Sequence, residues 1–232
     1  MHELACQISE IIQCYRKDDI DGIFYNTEMT PEHVINWVIQ FDENDREFLL
    51  SELLHILPSS YFSKDYISER LRKGLEKIST SLGYEDVYDF LLETKIICRQ
   101  DSHKSQNELL CLVNEIIKDM FNKNITGNPL NNVKYWLYVD DLLASGGTFK
   151  KDIINEVDSY NLTKDFKNSN IKIICLFIGL HSLGWENTLY SLNRKFGWDI
   201  SDRIKGYRHL SIQNNVKNSD SKLNIAYPKE SE

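Results

Sequence analysis

Two adjacent aspartates, Asp140 and Asp141, stand shortly before a Ser-Gly-Gly-Thr run, Ser145 to Thr148, in the phrase YWLYVDDLLASGGTF. Paired carboxylates at the end of a strand are placed to accept hydrogen bonds from hydroxyl groups. Gly146 and Gly147 let the backbone come close to a ligand or adopt a positive φ. Where a helix begins directly after such a turn, its first N–H groups form an anion nest that the helix dipole reinforces. The hydroxyls of Ser145 and Thr148 add donors. The combination describes a monophosphate cradle with two acids disposed toward ribose hydroxyls and, indirectly, a divalent metal.

Three competing readings fail on the same residues. A Walker phosphate loop needs Gly-Lys-Ser/Thr after a longer loop, whereas Lys150 follows Thr148 on the wrong side. A dinucleotide fingerprint needs Gly-x-Gly-x-x-Gly, and here the acids precede the glycines. The letters YVDD also occur in template-copying polymerases. Those place the acid pair in a hairpin between antiparallel strands, and the helix-forming FKKDIINEV that follows here contradicts a hairpin.

The elements that must position these groups follow from apolar patterning. KIIC (95–98), NVKYWLYV (132–139) and IKIICLFIGL (171–180) are apolar runs of strand length, and each is followed by a polar loop and an amphipathic helix. Successive strand–loop–helix units predict an α/β fold with a parallel sheet flanked by helices. Ligands bind such sheets beyond the carboxyl ends of the strands. That places the loops 99–107, 140–148 and 181–186 at the site, with the second strand ending at about Val139.

Before Lys95 the grammar is helical throughout. ELACQISEIIQCY spaces Leu4, Ile8, Ile11 and Ile12 along one side. MTPEHVINWVIQF starts with Thr30 as cap and Pro31 in the first turn, and its apolar set is Val34, Ile35, Trp37, Val38 and Phe41. ENDREFLLSELLHIL offers Phe48, Leu49, Leu53, Leu54 and Leu57 and is expected to close at Pro58. SKDYISERLRKGLEKI has Ser63 as cap and buries Ile67, Leu71 and Leu75. A shorter helix follows in YEDVYDFLLETK. The expected organisation is a helical N-terminal region over 1–94, an α/β domain over 95–213 and a fraying tail over 214–232, which is Asn-, Ser- and Lys-rich.

The phrase YWLYVDDLLASGGT resembles the ligand-binding motif of type I phosphoribosyltransferases: a hydrophobic strand, two acids, and a loop ending in Ser/Thr-Gly-Gly-Thr. The resemblance implies a phosphoribosyltransferase-like sheet and binding of phosphoribosyl pyrophosphate (PRPP). Carried over, Asp140 and Asp141 hold the ribose diol as the catalytic pair. Ala144, Ser145, Gly146, Gly147 and Thr148 hold the 5′-phosphate, and Mg²⁺ accompanies the ligand. The family's pyrophosphate loop follows an early strand, and its counterpart here is RQDSHKSQN, with Arg99, His103, Lys104 and Ser105 as anion donors. The chain departs from the family by showing no long loop and strand pair ahead of NVKYWLYV. The helical N-terminus, with Trp37, Gln40 and Phe41 in NWVIQF, is similar to phosphoribosyltransferase-like proteins of bacterial conflict and phage-defence operons. Some of those are encoded beside a retron reverse transcriptase and a winged-helix protein, which are then the implied partners. Two functions stay open on this resemblance: an antiviral effector that transfers or cleaves a ribosyl group, acting as a Mg-dependent transferase or a glycosidic-bond hydrolase, and an inactive ligand-sensing or scaffolding subunit. Homo-oligomerisation is also left open.

The remaining residues set bounds. Net charge is -8, which disfavours general binding to nucleic acid. The five cysteines form no Cys-x-x-Cys pair, and Cys98 and Cys175 read as buried reduced thiols. The histidines lack metal-ligand spacing. No apolar run is long enough for a membrane span, and the acid-bearing MHELACQISEIIQ lacks the basic start of a signal peptide, so the expected location is the cytoplasm. Trp185 is expected to pack helix on sheet, and His181 is weighed as a phosphate contact. Asp199 and Asp202 are weighed as base contacts, and the lysines of FKKDIINE and TKDFKNSNIK as solvated helix faces.

Overall fold

Apolar spacing turns the first third of the chain into helices, and a run of buried apolar strands builds the rest. The computed structural model describes residues 1–15, 28–101, 104–124 and 133–213. His103 of the expected anion loop and the tail from residue 214 lie outside them. Among the described residues, 1–67 and 68–213 form two compact units.

The first unit contains α1 (His2–Ile11), α2 (Pro31–Val38), α3 (Glu43–Ser60) and the start of α4 (Lys64–Ser81). Thr30 caps α2 by accepting from the His33 N–H at 3.2 Å, with Pro31 in the first turn. Ser63 likewise accepts from the Tyr66 N–H at 3.2 Å. The core joins Ala5 and Ile8 to Val34, Val38 and Leu50. Two expectations need correcting. Helix α3 runs past Pro58 to Ser60, because the proline sits in the last turn, where the Ser59 and Ser60 hydroxyls and the Tyr61 N–H still find carbonyls at 2.9 Å. Trp37, Phe41 and Phe48, expected on buried faces, are exposed, Phe48 by 65%. The eight-residue α2 buries only the stripe of Val34 and Val38, and the Trp37 and Phe41 rings cover each other at 5.1 Å.

The second unit holds the rest of α4, α5 (Val87–Leu92), β1 (Thr94–Ile96), α6 (Ser105–Phe121), β2 (Tyr135–Leu143), α7 (Gly147–Asn161), β3 (Lys172–His181), α8 (Ser182–Phe196), a 3₁₀ turn (Ser201–Arg203) and β4 (Ile204–Ile212). The sheet order is β1-β2-β3-β4 and every pair is parallel. This is the α/β fold expected, a parallel sheet flanked by helices with a helical N-terminal block. On one face Trp136, Tyr138, Ile173, Cys175 and Phe177 pack with Phe149, Ile153 and Val157 of α7 and Leu192 of α8. On the other, α4 lies against Leu176 at Gly74. Burial on both sides explains why β3 is apolar without alternation. The sequence reading found no strand at β4. In IKGYRHLSI, glycine, arginine and histidine break the apolar run, and the strand is stabilised by its ladder to β3 rather than by local pattern. Cys175 is buried as expected. Cys98 is exposed, because β1 stops at Ile96 and the thiol lies in the loop beyond it.

One buried acid ties this framework together. Glu156 of α7 pairs with Lys95 of β1 and with Arg99 Nε at 2.7 Å, and Arg99 Nη2 also donates to Ser159 Oγ at 3.0 Å. Removing one member of a buried ion cluster leaves charge uncompensated, but both cations here are one-third exposed and partly screened. Glu156→Gln is therefore expected to lower unfolding free energy by only about 1–2 kcal/mol. A urea titration checks this as a shifted midpoint with unchanged slope.

Among the described residues, no helix is long and apolar enough to cross a membrane.

Candidate functional site

Strand β2 carries both aspartates inside it. It does not end at Val139: it pairs with β3 through Asp140↔Phe177, Leu142↔Gly179 and Leu143↔Leu180. The ladder continues because β3 stays extended and buried to Leu180, giving the backbone of residues 140 to 143 partners that local sequence does not reveal. Strand alternation then separates the acids. Asp140 turns inward and is 8% exposed, while Asp141 is exposed.

The loop after β2 makes the turn into α7. Gly146 is the helix cap, at φ +75°, and its helix has no side-chain cap. The first N–H groups of a helix have no partner within it, so those of Gly147, Thr148 and Phe149 point out of its end. They face a cavity of about 220 Å³ lined by Asp140, Asp141, the loop Ala144 to Thr148, Gln100, Ser105 and Phe177. Helix α8 presses on the loop from behind. A Cβ on Gly184 would meet the Ala144 carbonyl oxygen at 1.8 Å, and one on Gly146 would meet Thr188 Oγ1 at 1.8 Å. Gly147 is different: its φ is ordinary, and a Cβ there would meet only Ser145 Oγ at 3.7 Å. Neither backbone nor packing requires that glycine.

The structure brings together Asp140, Asp141, Ala144, Ser145, Gly146, Gly147, Thr148 and Ser105. It does not bring in Arg99, which turns to Glu156 and Ser159, or Lys104, exposed just ahead of α6. His181 Nδ1 accepts from the Gly184 N–H at 3.1 Å and so caps α8. Trp185 stacks on Phe149 at 5.8 Å, packing helix on sheet. Asp199 accepts from Asn193 at 2.8 Å and from the Ser201 N–H at 3.0 Å, which holds the turn before β4 and keeps its carboxyl below the usual range. Asp202 is exposed in that turn.

Four side chains escaped the sequence reading. Gln106 is fully buried. Its Oε1 accepts from the Arg99 N–H at 3.2 Å and its Nε2 donates to the Val139 carbonyl at 3.3 Å, bracing the loop after β1 against β2. Gln100 Nε2 donates to Asp140 Oδ2 and to Tyr138 Oη, each at 3.1 Å. Tyr138 Oη lies 3.1 Å from Asp140 Oδ2 and 3.0 Å from Asp152 Oδ2. Asp152, on α7, is 4% exposed. The only available signal was spacing: Tyr138 and Asp140 share a strand face at i and i+2.

Burial, with the charge of Asp141 second, pushes the Asp140 carboxyl above its ordinary range. Burial does the same to Asp152 and holds the Tyr138 phenol well above its usual value, helped by the two acids. A raised native value means that the folded protein keeps protons the unfolded chain releases near pH 3.9. The stability these groups contribute is full below that pH and is lost as pH rises through the raised native values. Asp140→Asn and Asp152→Asn should each flatten the fall of unfolding free energy as pH rises above about 4, measured by denaturant titration from acid to neutral pH.

Among the described residues, no cluster of three or more His, Cys, Asp or Glu side chains is disposed to hold a metal ion. The aspartate oxygens are also partly committed: Asp140 Oδ1 accepts from the Asp141 N–H at 3.0 Å, and Asp141 Oδ1 from the Leu142 N–H at 2.6 Å.

The protein family described as PRTase-CE matches residues 34–232, a span that runs from α2 through β4 and carries the whole cleft. No curated protein and no solved structure matches the chain. With a match over most of its length, the chain belongs to the PRTase-CE family.

Proposed function

We propose that the cleft binds a 5′-phosphorylated ribose, PRPP foremost, and that the protein transfers or cleaves the ribosyl group. The observation that carries this is Gly147: a glycine that the fold does not need, at an uncapped helix N-terminus, facing two acids across one cavity. The 5′-phosphate accepts from the N–H groups of Gly147 and Thr148 and from the hydroxyls of Ser145 and Thr148. Asp140 and Asp141 take the ribose hydroxyls. The pyrophosphate then lies toward Ser105, at the N-terminus of α6. Rate comes from holding C1′ in line with its acceptor and from dipoles aimed at the leaving group. Mg²⁺ would enter on the ligand's own phosphates, since among the described residues no side chains form a metal cage.

A second reading is favoured by the position of Arg99 and Lys104. Neither lines the cleft, and among the described residues its lining holds no cationic side chain to meet a departing pyrophosphate. This supports a subunit that senses PRPP or a nucleotide within a defence complex, as the resemblance to retron-associated proteins implies. The exposed Trp37, Phe41 and Phe48 of the helical unit offer apolar surface for a protein partner there.

Gly147→Ala tests the carrying observation. The substitution should fold as well as the parent, since alanine favours helix, yet weaken binding of PRPP and ribose 5-phosphate by about tenfold through crowding at the phosphate. Calorimetric titration with each ligand reads this, and unchanged affinity removes the phosphate from the α7 N-terminus. Consumption of labelled PRPP separates the readings: saturable binding without turnover selects the sensor. For an active effector, toxicity on expression should disappear with Asp140→Asn and Asp141→Asn.

A further inference from the structure

Beneath the cavity floor lies a buried chain of polar groups that the phosphate-and-ribose reading does not use. Gln100 Nε2 has two N–H bonds, and both are spent, on Tyr138 Oη and Asp140 Oδ2. Tyr138 has one O–H, yet its oxygen stands within 3.1 Å of a carboxyl oxygen on either side, Asp140 Oδ2 and Asp152 Oδ2. All three side chains are buried. If both carboxyls were ionised, one of these contacts would set two oxygen acceptors against each other with no hydrogen between them. Such an unpaired buried contact is costly. One proton beyond the tyrosine's own completes the chain.

We propose that Asp152 is a positioning residue for the ribose clamp, holding one proton in common with Asp140 through Tyr138, so that Asp140 can pass to its charged form when a bound hydroxyl needs an acceptor. This rests on the reading of Asp140 as a ribose contact. The transfer balances as a two-proton relay. Asp140 Oδ2–H gives its proton to Tyr138 Oη while Tyr138 gives its own to Asp152 Oδ2. Asp140 becomes a carboxylate, Asp152 an acid, and Tyr138 is again a phenol.

The surroundings fix the resting end. Asp141 adjoins Asp140 on β2 and disfavours its ionisation. Lys151, next to Asp152 on α7, and Arg99, from the loop after β1, favour ionisation of Asp152 against its burial. Glu156, one turn further along α7, is neutralised by Lys95 and Arg99. The Cys98 thiol, exposed in its loop but pushed up by partial desolvation and by Asp152, stays protonated. The proton therefore rests on Asp140, and the relay delivers it to Asp152 when a ligand needs Asp140 as an acceptor.

The test begins without ligand. Carboxyl-¹³C aspartate NMR of the full chain, titrated from acid to neutral pH, should show the Asp140 and Asp152 signals moving together, each with two inflections. In Asp152→Asn the amide can donate to Tyr138, the tyrosine proton goes undivided to Asp140, and the Asp140 midpoint should fall by about tenfold in proton affinity or more. In Tyr138→Phe, where the connection is cut, each signal should titrate once. Midpoints of Asp140 unmoved in both variants overturn the relay. Should Asp152→Asn fail to fold, Tyr138→Phe decides alone. The second measurement is ribose 5-phosphate affinity against pH, whose midpoint should shift in Asp152→Asn in the same direction as the NMR midpoint. A profile that does not follow it overturns the positioning role. NMR coupling with no ribose 5-phosphate binding at any pH leaves the relay standing and instead refutes the assignment of the ribose.

Discussion

Asp140→Asn combined with Asp141→Asn is expected to lose binding of PRPP and ribose 5-phosphate by at least about a hundredfold, while affinity for inorganic phosphate holds or rises. Hydrogen bonds to charged groups contribute about 1.5–3 kcal/mol each, and the double change removes the charge from two acceptors in one cavity. Phosphate alone touches the α7 end of the site and not the clamp, so losing negative charge close by cannot weaken it. The substitution keeps side-chain size, so the circular dichroism spectrum and unfolding cooperativity should match those of the parent. Any turnover of labelled PRPP should disappear. Retained ribose 5-phosphate affinity would exclude the aspartates as the clamp, and loss of phosphate binding along with it would point to a collapsed loop instead.

The second large effect lies behind the loop. Gly184→Ala puts a methyl group 1.8 Å from the Ala144 carbonyl oxygen and 3.0 Å from its carbon, both backbone atoms. No side chain can turn away, so either the loop or α8 must move by more than an ångström. Overpacking of this kind costs about 1–3 kcal/mol and sometimes more. The expected loss is about 3 kcal/mol, a fall in Tm of roughly 6–12 °C for a domain of this size, with loss of phosphate binding as the loop shifts. Gly146→Ala should be similarly damaging, because the residue is at φ +75° and the new methyl group meets Thr188 Oγ1. Its partner, however, is a side chain. Thr188→Ala should restore part of the stability lost in Gly146→Ala and none of that lost in Gly184→Ala, a difference that a double-mutant cycle measures directly.

Much of this site could be read from residues 135 to 149 because its parts are local. A strand, two acids, two glycines and a helix follow one another within a single turn of chain, and each has a pattern of its own. The helical caps at Thr30 and Ser63 were legible for the same reason. What escaped depends on partners distant in sequence. Asp152 sits in FKKDIINEV among lysines and acids and reads as a solvated face; its burial exists only once α7 lies on Tyr138. Gln100 and Gln106 read as loop polarity until β2 supplies Asp140 and the Val139 carbonyl. Arg99 had the right type and loop for an anion donor, and a buried glutamate 57 residues on in the chain claims it. Strand β2 ran longer than its apolar letters because a ladder, not a hydrophobic run, sets where a strand stops.

The sheet order also bears on how the molecule comes into being. Thr94 pairs with Tyr135, Tyr135 with Lys172, and Ile173 with Ile204, so each ladder closes a stretch of about 30 to 40 residues and no hairpin can start the sheet. Pairings this distant make for slow folding from a denatured chain. Emergence from a ribosome is another matter. Strand order equals chain order, so each strand meets its one earlier neighbour already in place, and the sheet can grow by accretion at a single edge. Refolding from denaturant and folding during synthesis should thus differ in rate for this chain, because only synthesis presents the strands in the order in which they dock.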